Sequence, residues 1–168
     1  MRRAVAWTAV VLTALLLQST VFAQIKLAGA KPELMYLVTA VLAMLEGPSP
    51  GAIGGFWAGM GQDFLLNQPK GITALTLTLA GYLVGRMRPF ITSPSPWIPV
   101  VTVATATAVG VLFYGLVAFL LGQLEAGIGF LFRTAVLSAL YNALLTPLLY
   151  PILRRVAEAS RVRNIYRW

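Results

Sequence analysis

The amino-acid sequence predicts an all-α polytopic membrane protein with about six transmembrane helices in a single integral membrane domain over 1–168. Hydrophobic residues make up 58% of the chain and charged residues only 11%, whereas soluble domains carry about 25% charged residues. A soluble chain of this length could not bury so much apolar surface, so lipid must be the solvent for part of it. The apolar residues also form long stretches that are separated by short loops rich in Gly, Pro and charge.

Six helices are predicted in chain order. The first, over 4–25, follows two arginines, is long enough to span and lacks a clear small-residue cleavage site, so it is predicted to be a retained helix rather than a signal peptide. The other helices are predicted over 32–46, 50–66, 71–85, 98–121 and 128–152, and a basic cytoplasmic tail over 153–168 follows them.

The second and third helices allow two models. The stretch between Glu33 and Glu46 is uncharged and covers about 18 Å at about 1.5 Å per residue, less than the ~30 Å thickness of a hydrocarbon core. The third helix must include Asp63 to reach across. Either both are short transmembrane helices, which is the favoured model, or the pair forms a re-entrant hairpin.

The basic residues predict the orientation, because cytoplasmic loops carry an excess of Lys and Arg. Six spans with the N-terminus in the cytoplasm leave only Lys26, Lys31 and Lys70 in outer loops. The inner side then receives Arg2, Arg3, Arg86, Arg88, Arg154, Arg155, Arg161, Arg163 and Arg167. We therefore expect a multi-pass membrane protein with both termini in the cytoplasm.

Composition also limits the possible chemistry. The chain has no Cys, no His and only five acidic residues, so it lacks thiolate and imidazole groups for catalysis or metal binding. The sequence therefore predicts no enzymatic activity, no cofactor and no metal site. The net charge of +8 lies mainly at the ends of apolar segments, which suits anionic lipid headgroups rather than nucleic acid.

A stripe of small residues runs along the third helix. Gly51, Gly55 and Gly59 are spaced four apart, and Gly81 and Gly85 repeat the spacing on the fourth helix. Small residues at this spacing let two helices approach closely in lipid. These glycines are predicted to serve helix packing or partner binding.

Asp63 is the next residue along the stripe and has three possible roles. It could pair with Arg133 or Lys70, accept hydrogen bonds from a helix end, or line a ligand or proton path, because acids at membrane depth usually face protein or a cavity. Both Asp63 and Arg133 fall in the outer half of the predicted topology. A mutual salt bridge between them is the most specific structural hypothesis.

Further polar residues are candidates for a buried cluster or pocket, namely Gln62, Asn142 and Glu33. Glu33 follows Lys31-Pro32, so its simplest role is to complement the dipole at the start of the second helix. Asn142 lies in an apolar helix, where it is expected to hydrogen-bond a neighbouring helix. Gln18 is expected to cap or cross-link helix ends.

Several short motifs follow one another in a specific order. They are Leu17-Gln18-Ser19-Thr20, Lys31-Pro32-Glu33-Leu34, Glu46-Gly47-Pro48, the glycine stripe, Gly59-Met60-Gly61-Gln62-Asp63-Phe64-Leu65-Leu66, Gly71 and Gly81-Tyr82-Leu83-Val84-Gly85-Arg86. This order resembles the rod-shape-determining protein MreD family of the bacterial inner membrane. The match is strongest over 17–88, and beyond it only hydropathy and the pair Tyr141-Asn142 contribute. One departure is Glu33, where the family often has Asp.

The resemblance implies a non-enzymatic membrane scaffold of the bacterial cell-elongation machinery that supports rod shape and peptidoglycan synthesis. It implies MreC, a protein with a single span, as partner, with a RodA-type glycosyltransferase and a class B penicillin-binding protein in the wider complex. The family is also similar in expected fold to the substrate-binding subunits of energy-coupling-factor transporters. The alternative is therefore a small-molecule or lipid-binding subunit of a transporter-like system, with Asp63 and Arg133 in its pocket.

Overall fold

The computed structural model of the chain describes residues 2–20, 32–65, 71–91, 95, 97–123 and 127–160. All regular secondary structure within these residues is helical, which confirms the all-α class. The helices are α1 (Arg2–Thr20), α2 (Leu34–Glu46), α3 (Pro48–Leu65), α4 (Ile72–Arg86), α5 (Arg88–Ile91), α6 (Trp97–Leu120) and α7 (Ile128–Ser160).

Three of the described helices are long and apolar enough to cross a membrane, namely Arg3–Thr20 within α1, α6 and α7. The helices α2 and α4 are apolar but shorter. Residues 21–25 of the predicted first helix lie outside the described residues. Two differences from the sequence-based expectation stand out, because α5 occupies the start of a predicted loop and α7 continues past Ile152 to Ser160.

The helix α7 continues through Pro147 and Pro151, although each proline removes a backbone donor from the helix ladder. Such prolines are tolerated in membrane helices where side-chain hydroxyls and neighbouring helices satisfy the freed backbone groups. The hydroxyl of Thr146 donates a hydrogen bond of 2.6 Å to the backbone carbonyl of Asn142 in this part of the helix. Length and hydropathy alone had placed the end of the helix too early.

Successive helices run antiparallel, as contacts at both ends of each pair establish. The α1–α2 pair is joined by Arg3 and Glu46 at one end, 3.7 Å apart, and by Gln18 and Met35 at the other. A left-handed Gly47 with φ of 104° makes the tight turn from α2 into α3, and Pro48 occupies the first helical position. We call the end of the bundle that holds Arg3 and Glu46 the arginine end.

The opposite end of the bundle, which we call the distal end, holds the last turn of α3 and the first turn of α4. The pair α6–α7 follows the same alternation, because Gly115 lies against Leu131 and Thr107 against Asn142. Tyr114 on α6 shares a cleft with Thr73 at the start of α4. The C-terminal half of α6 and the start of α7 therefore lie toward the distal end.

The helix α2 is the centre of the molecule. Every residue from Leu34 to Met44 is buried, and α2 contacts α1, α3, α4, α6 and α7. A helix that is apolar on all sides is expected to be enclosed rather than to lie at a surface. Its shortness, about 20 Å at 1.5 Å per residue, thus reflects enclosure by longer helices.

The glycine stripe lies between α3 and α4, inside the chain. A Cβ atom on Gly51 would stand 2.6 Å from the Cβ of Ala43 and 2.7 Å from the backbone oxygen of Gly81. Added Cβ atoms on Gly55 and Gly59 would overlap the backbone of Leu77 and Ala74, and one on Gly85 would overlap the backbone of Pro48. The stripe serves helix packing, and α4 occupies the surface that a partner helix was expected to use.

Candidate functional site

A polar cluster surrounds Glu33 at the start of α2. The side chains of Gln18 on α1 and Gln62 on α3 each donate a hydrogen bond of 3.2 Å to Oε2 of Glu33. The Oε1 atom of Gln18 accepts a bond of 3.3 Å from the backbone N–H of Met35. Gln18 therefore accepts a hydrogen bond from one of the free N–H groups at the start of α2 and donates one to Glu33. This confirms the prediction that Gln18 links helix ends.

Asn142 on α7 closes the same cluster from the opposite side. Its Nδ2 donates 2.9 Å to the backbone oxygen of Glu33 and 2.8 Å to Oγ1 of Thr107 on α6. Asn142 and Thr107 are fully buried. The predicted bond between Asn142 and a neighbouring helix is confirmed, and it joins residues that are 109 positions apart in the chain.

A cleft of about 200 Å³ opens on the distal side of this cluster, between α2, α3, α4, α6 and α7. Six of the residues that line it are apolar, glycine or tyrosine. The described residues that line it are Glu33, Tyr36, Gln62, Thr73, Val111, Tyr114, Gly115, Phe130, Leu131 and Thr134. The cleft therefore combines one acid and several oxygen-bearing side chains with apolar walls.

Asp63 takes the second of its three predicted roles, as acceptor at a helix end. Its Oδ2 accepts 2.8 Å from the backbone N–H of Gly71 and 3.4 Å from that of Ala74, at the first turn of α4. A carboxylate at a helix N-terminus satisfies free donors and complements the helix dipole. The acid thereby fixes the start of α4 to the end of α3.

The predicted salt bridge between Asp63 and Arg133 is wrong. Asp63 is fully buried, whereas Arg133 is exposed on α7 and does not line the cleft. Depth along the membrane had suggested the pair, but the face of α7 that carries Arg133 points away from the bundle. Lys70, the other predicted partner, lies outside the described residues.

A second candidate site is an apolar groove of about 650 Å³ between α1 and α3. It runs from Arg3, Glu46 and Ser49 at the arginine end to Leu15 and Gly61 nearer the distal end. Ile53 and Trp57 form its exposed α3 wall. The Nε1–H of Trp7, which is buried in the wall of the groove, has no hydrogen-bond partner among the described residues.

Sequence reasoning missed several residues of these sites. Tyr36 and Tyr114 line the cleft, but single aromatics in apolar helices give no signal that separates packing from a site. Thr107 was missed because it is one of several threonines in the first half of α6, and nothing in the sequence separates it from the others. The groove was missed because its walls are ordinary apolar residues whose grouping depends on the tertiary fold.

Comparison with known protein families gave a match over most of the chain. The family model described as rod shape-determining protein MreD matches residues 1–156. Searches of curated proteins and of solved structures gave no significant match. The family match spans all the described helices up to α7 and includes the motifs around Glu33 and Asp63. This chain therefore belongs to the MreD family of rod-shape-determining membrane proteins.

Proposed function

We propose that this chain is a non-enzymatic scaffold of the bacterial cell-elongation machinery in the inner membrane. It binds MreC and thereby supports peptidoglycan synthesis by a RodA-type glycosyltransferase and a class B penicillin-binding protein. Membership of the MreD family supports this role. The observation that carries the binding proposal is the apolar groove between α1 and α3, because it is the larger of the two sites and lies on the outer surface of the bundle.

The proposed topology has six spans and both termini in the cytoplasm. The ion pair between Arg3 and Glu46 supports it, because the α2–α3 turn then lies level with the start of α1 rather than within the bundle. The position of the α2–α3 turn at the arginine end supports two spanning helices over a re-entrant hairpin. Arg86 and Arg88 also follow α4 toward the arginine end, which is the proposed cytoplasmic side.

The groove suits a single transmembrane helix. Its lining combines the small residues Ala4, Gly54 and Gly61 with the large apolar side chains of Ile53 and Trp57. From Arg3 to Leu15 it extends about 18 Å at 1.5 Å per residue along α1. Association in lipid depends on such packing rather than on apolar character alone.

Cysteine cross-linking tests directly whether MreC binds in this groove, because the chain has no native Cys. Single variants Ile53→Cys and Trp57→Cys would be co-expressed with MreC that carries single cysteines along its span. We expect oxidation to give disulfide-linked heterodimers at both positions, since the two side chains line the groove one helical turn apart.

Leu116→Cys and Phe119→Cys provide the matched control, because both side chains are exposed and apolar but lie on α6, away from the groove. Cross-links at the α6 positions, without cross-links in the groove, would reject the groove as the MreC-binding surface. Failure of MreC to co-purify with the unmodified chain in mild detergent would reject the partner itself.

The second candidate function is that of a small-molecule or lipid-binding subunit of a transporter-like system. The polar cleft beside Glu33 is the observation in its favour. At about 200 Å³ the cleft is smaller than the roughly 300–1,000 Å³ of typical ligand pockets. Co-purification with ATPase subunits in place of MreC would favour this function over the scaffold.

A further inference from the structure

A single arginine lies on the exposed face of α7 near the distal end. Arg133 is exposed, and its guanidinium makes no hydrogen bond or ion pair with another described residue. It is the one basic residue that the described helices carry toward the distal end. Charged side chains in membrane helices usually face protein or a water-filled cavity. An arginine on the outer surface of the bundle therefore needs a partner other than the described residues.

The charge pattern of α7 indicates the depth of Arg133 in the membrane. Residues 134–153 carry no charge, and Arg154 and Arg155 follow them. At about 1.5 Å per residue, the rise from Arg133 to Arg154 is about 32 Å, close to the ~30 Å thickness of a hydrocarbon core. The helix therefore fits the membrane when these two arginines lie at its two boundaries, where the hydrocarbon meets the lipid headgroups. Arg133 then lies at the boundary on the distal side.

The side chain of Arg133 can extend from this boundary toward the headgroups. Helical side chains lean toward the N-terminus of their helix, so Arg133 covers the surface one turn earlier, at Gly129. Nothing lies within 4 Å of a Cβ atom added at Gly129, so this surface is open. The guanidinium can therefore reach the phosphate layer while its methylene groups stay in apolar surroundings.

An apolar strip continues from Arg133 toward the middle of α7. It consists of Val136, Leu140 and Leu144, which are 64%, 55% and 68% exposed. Their spacing of four residues, with the first of them three residues after Arg133, places them on the same face of the helix as Arg133. From Arg133 to Leu144 the helix rises about 16 Å, which is about half the thickness of the hydrocarbon core. The strip thus has the length of one leaflet, with a cation at its headgroup end.

We propose that Arg133 and the apolar strip bind one anionic phospholipid in the leaflet at the distal end. The guanidinium holds the phosphate, because its planar fork of N–H donors matches two phosphate oxygens, and an acyl chain lies along the strip. Charge complementarity favours an anionic lipid, since no described acid pairs with Arg133. The assignment of this leaflet as the outer one rests on the proposed topology, whereas the binding itself depends neither on that topology nor on the groove between α1 and α3.

Photo-cross-linking in nanodiscs tests the proposal. The full chain would be placed in phosphatidylcholine discs that contain phosphatidylglycerol with a diazirine in its acyl chain, and the labelled residues would be mapped by mass spectrometry. We expect labelling of the apolar strip to exceed labelling of Leu116 and Phe119, which are exposed and apolar but lie on α6. A diazirine-labelled diacylglycerol, which has the same chains and no phosphate, should label the two surfaces equally.

Two variants test whether Arg133 causes the excess labelling of the strip. Arg133→Gln should lower this excess about fivefold, the factor by which one basic residue near an anionic surface raises affinity, whereas Arg133→Lys keeps the charge and should retain most of it. Both variants should keep the melting midpoint of the unmodified chain, because the guanidinium makes no bond to another described residue. Arg155→Gln is the matched control, since Arg155 is also exposed on α7 but lies at its other end.

Three results would overturn the proposal. Equal labelling of the strip and of α6 by the phosphatidylglycerol probe would mean that no lipid is held there, and would favour an acidic partner protein on this face. An unchanged excess in Arg133→Gln protein would assign the lipid to another group. An excess that appears only in Glu125→Gln protein would mean that Glu125, which lies outside the described residues, occupies Arg133 in the native chain.

Discussion

Three side-chain amides from distant parts of the chain meet at Glu33, the residue that precedes α2. Gln18 and Gln62 hold the carboxylate of Glu33, and Asn142 holds its backbone oxygen. Each bond joins a different helix to α2, so the cluster fixes where α1, α3 and α7 sit along the central helix. In an apolar interior these bonds carry the specificity that non-directional packing lacks.

A double-mutant cycle should measure the link between α6 and α7. Asn142→Ala removes the bonds to both Glu33 and Thr107, whereas Thr107→Val removes the second of these and the bond from Thr107 Oγ1 to the backbone oxygen of Val103. We expect Asn142→Ala to lower the free energy of unfolding by about 1–3 kcal/mol, since it leaves a buried carbonyl unpaired. The double variant should lose less than the sum of the two, as unfolding in detergent would reveal, and strict additivity would contradict the bond.

The glycines between α3 and α4 leave no room for a side chain, so adding a single methyl group there should lower the stability of the fold. Gly55→Ala should destabilise the fold by about 1–3 kcal/mol or more, because the new methyl group would overlap the backbone of Leu77. Gly129→Ala is the matched control, since nothing lies within 4 Å of its added Cβ atom. Melting midpoints in detergent should fall for the first and hold for the second; equal midpoints would show that α3 and α4 are further apart than described.

At the scale of elements, the turn between α2 and α3 decides the topology. Gly47 and Pro48 form this turn at the arginine end, beside the first turn of α1. Two helices that return to that end span the same thickness as α1, whereas a re-entrant pair would place the turn inside the bundle. The sidedness of this turn therefore separates the two models that the sequence left open.

Single-cysteine labelling should establish that sidedness. Ser49→Cys lies in the exposed first turn of α3, and Gly127→Cys lies at the exposed start of α7, at the opposite end. In spheroplasts, a membrane-impermeant maleimide should label Gly127→Cys and reach Ser49→Cys only after permeabilisation. Labelling of Ser49→Cys in intact spheroplasts would reject the six-span topology.

At the scale of the whole molecule, hydropathy located the helices because each main helix consists largely of apolar residues. Hydropathy could not identify which helices pack against each other. The stripe from Gly51 to Gly59 indicated close packing, but small residues do not specify which helix approaches, and the answer was α4. The position of Arg133 along α7 suggested an ion pair with Asp63, but the side chain of Arg133 lies on the exposed face of α7.

The candidate sites depended even more on tertiary structure. Glu33, Gln62 and Asn142 were each recognisable as polar residues in apolar surroundings, yet nothing local indicated that they share one cluster. The groove between α1 and α3 had no signal in the sequence, because lipid-facing and groove-facing side chains have the same chemistry. Length and composition predicted the class of fold, while the bonds between helices determined the sites.

The enclosure of α2 also has a consequence for the order in which the protein is assembled. The ribosome completes α1, α2, α3 and α4 well before α7, and domains generally fold from the N-terminal side during synthesis. Until Asn142 emerges, the backbone oxygen of Glu33 lacks the bond that holds it in the finished bundle. The first four helices can therefore gather around α2 early, but the last helix to leave the ribosome closes the polar cluster at its start.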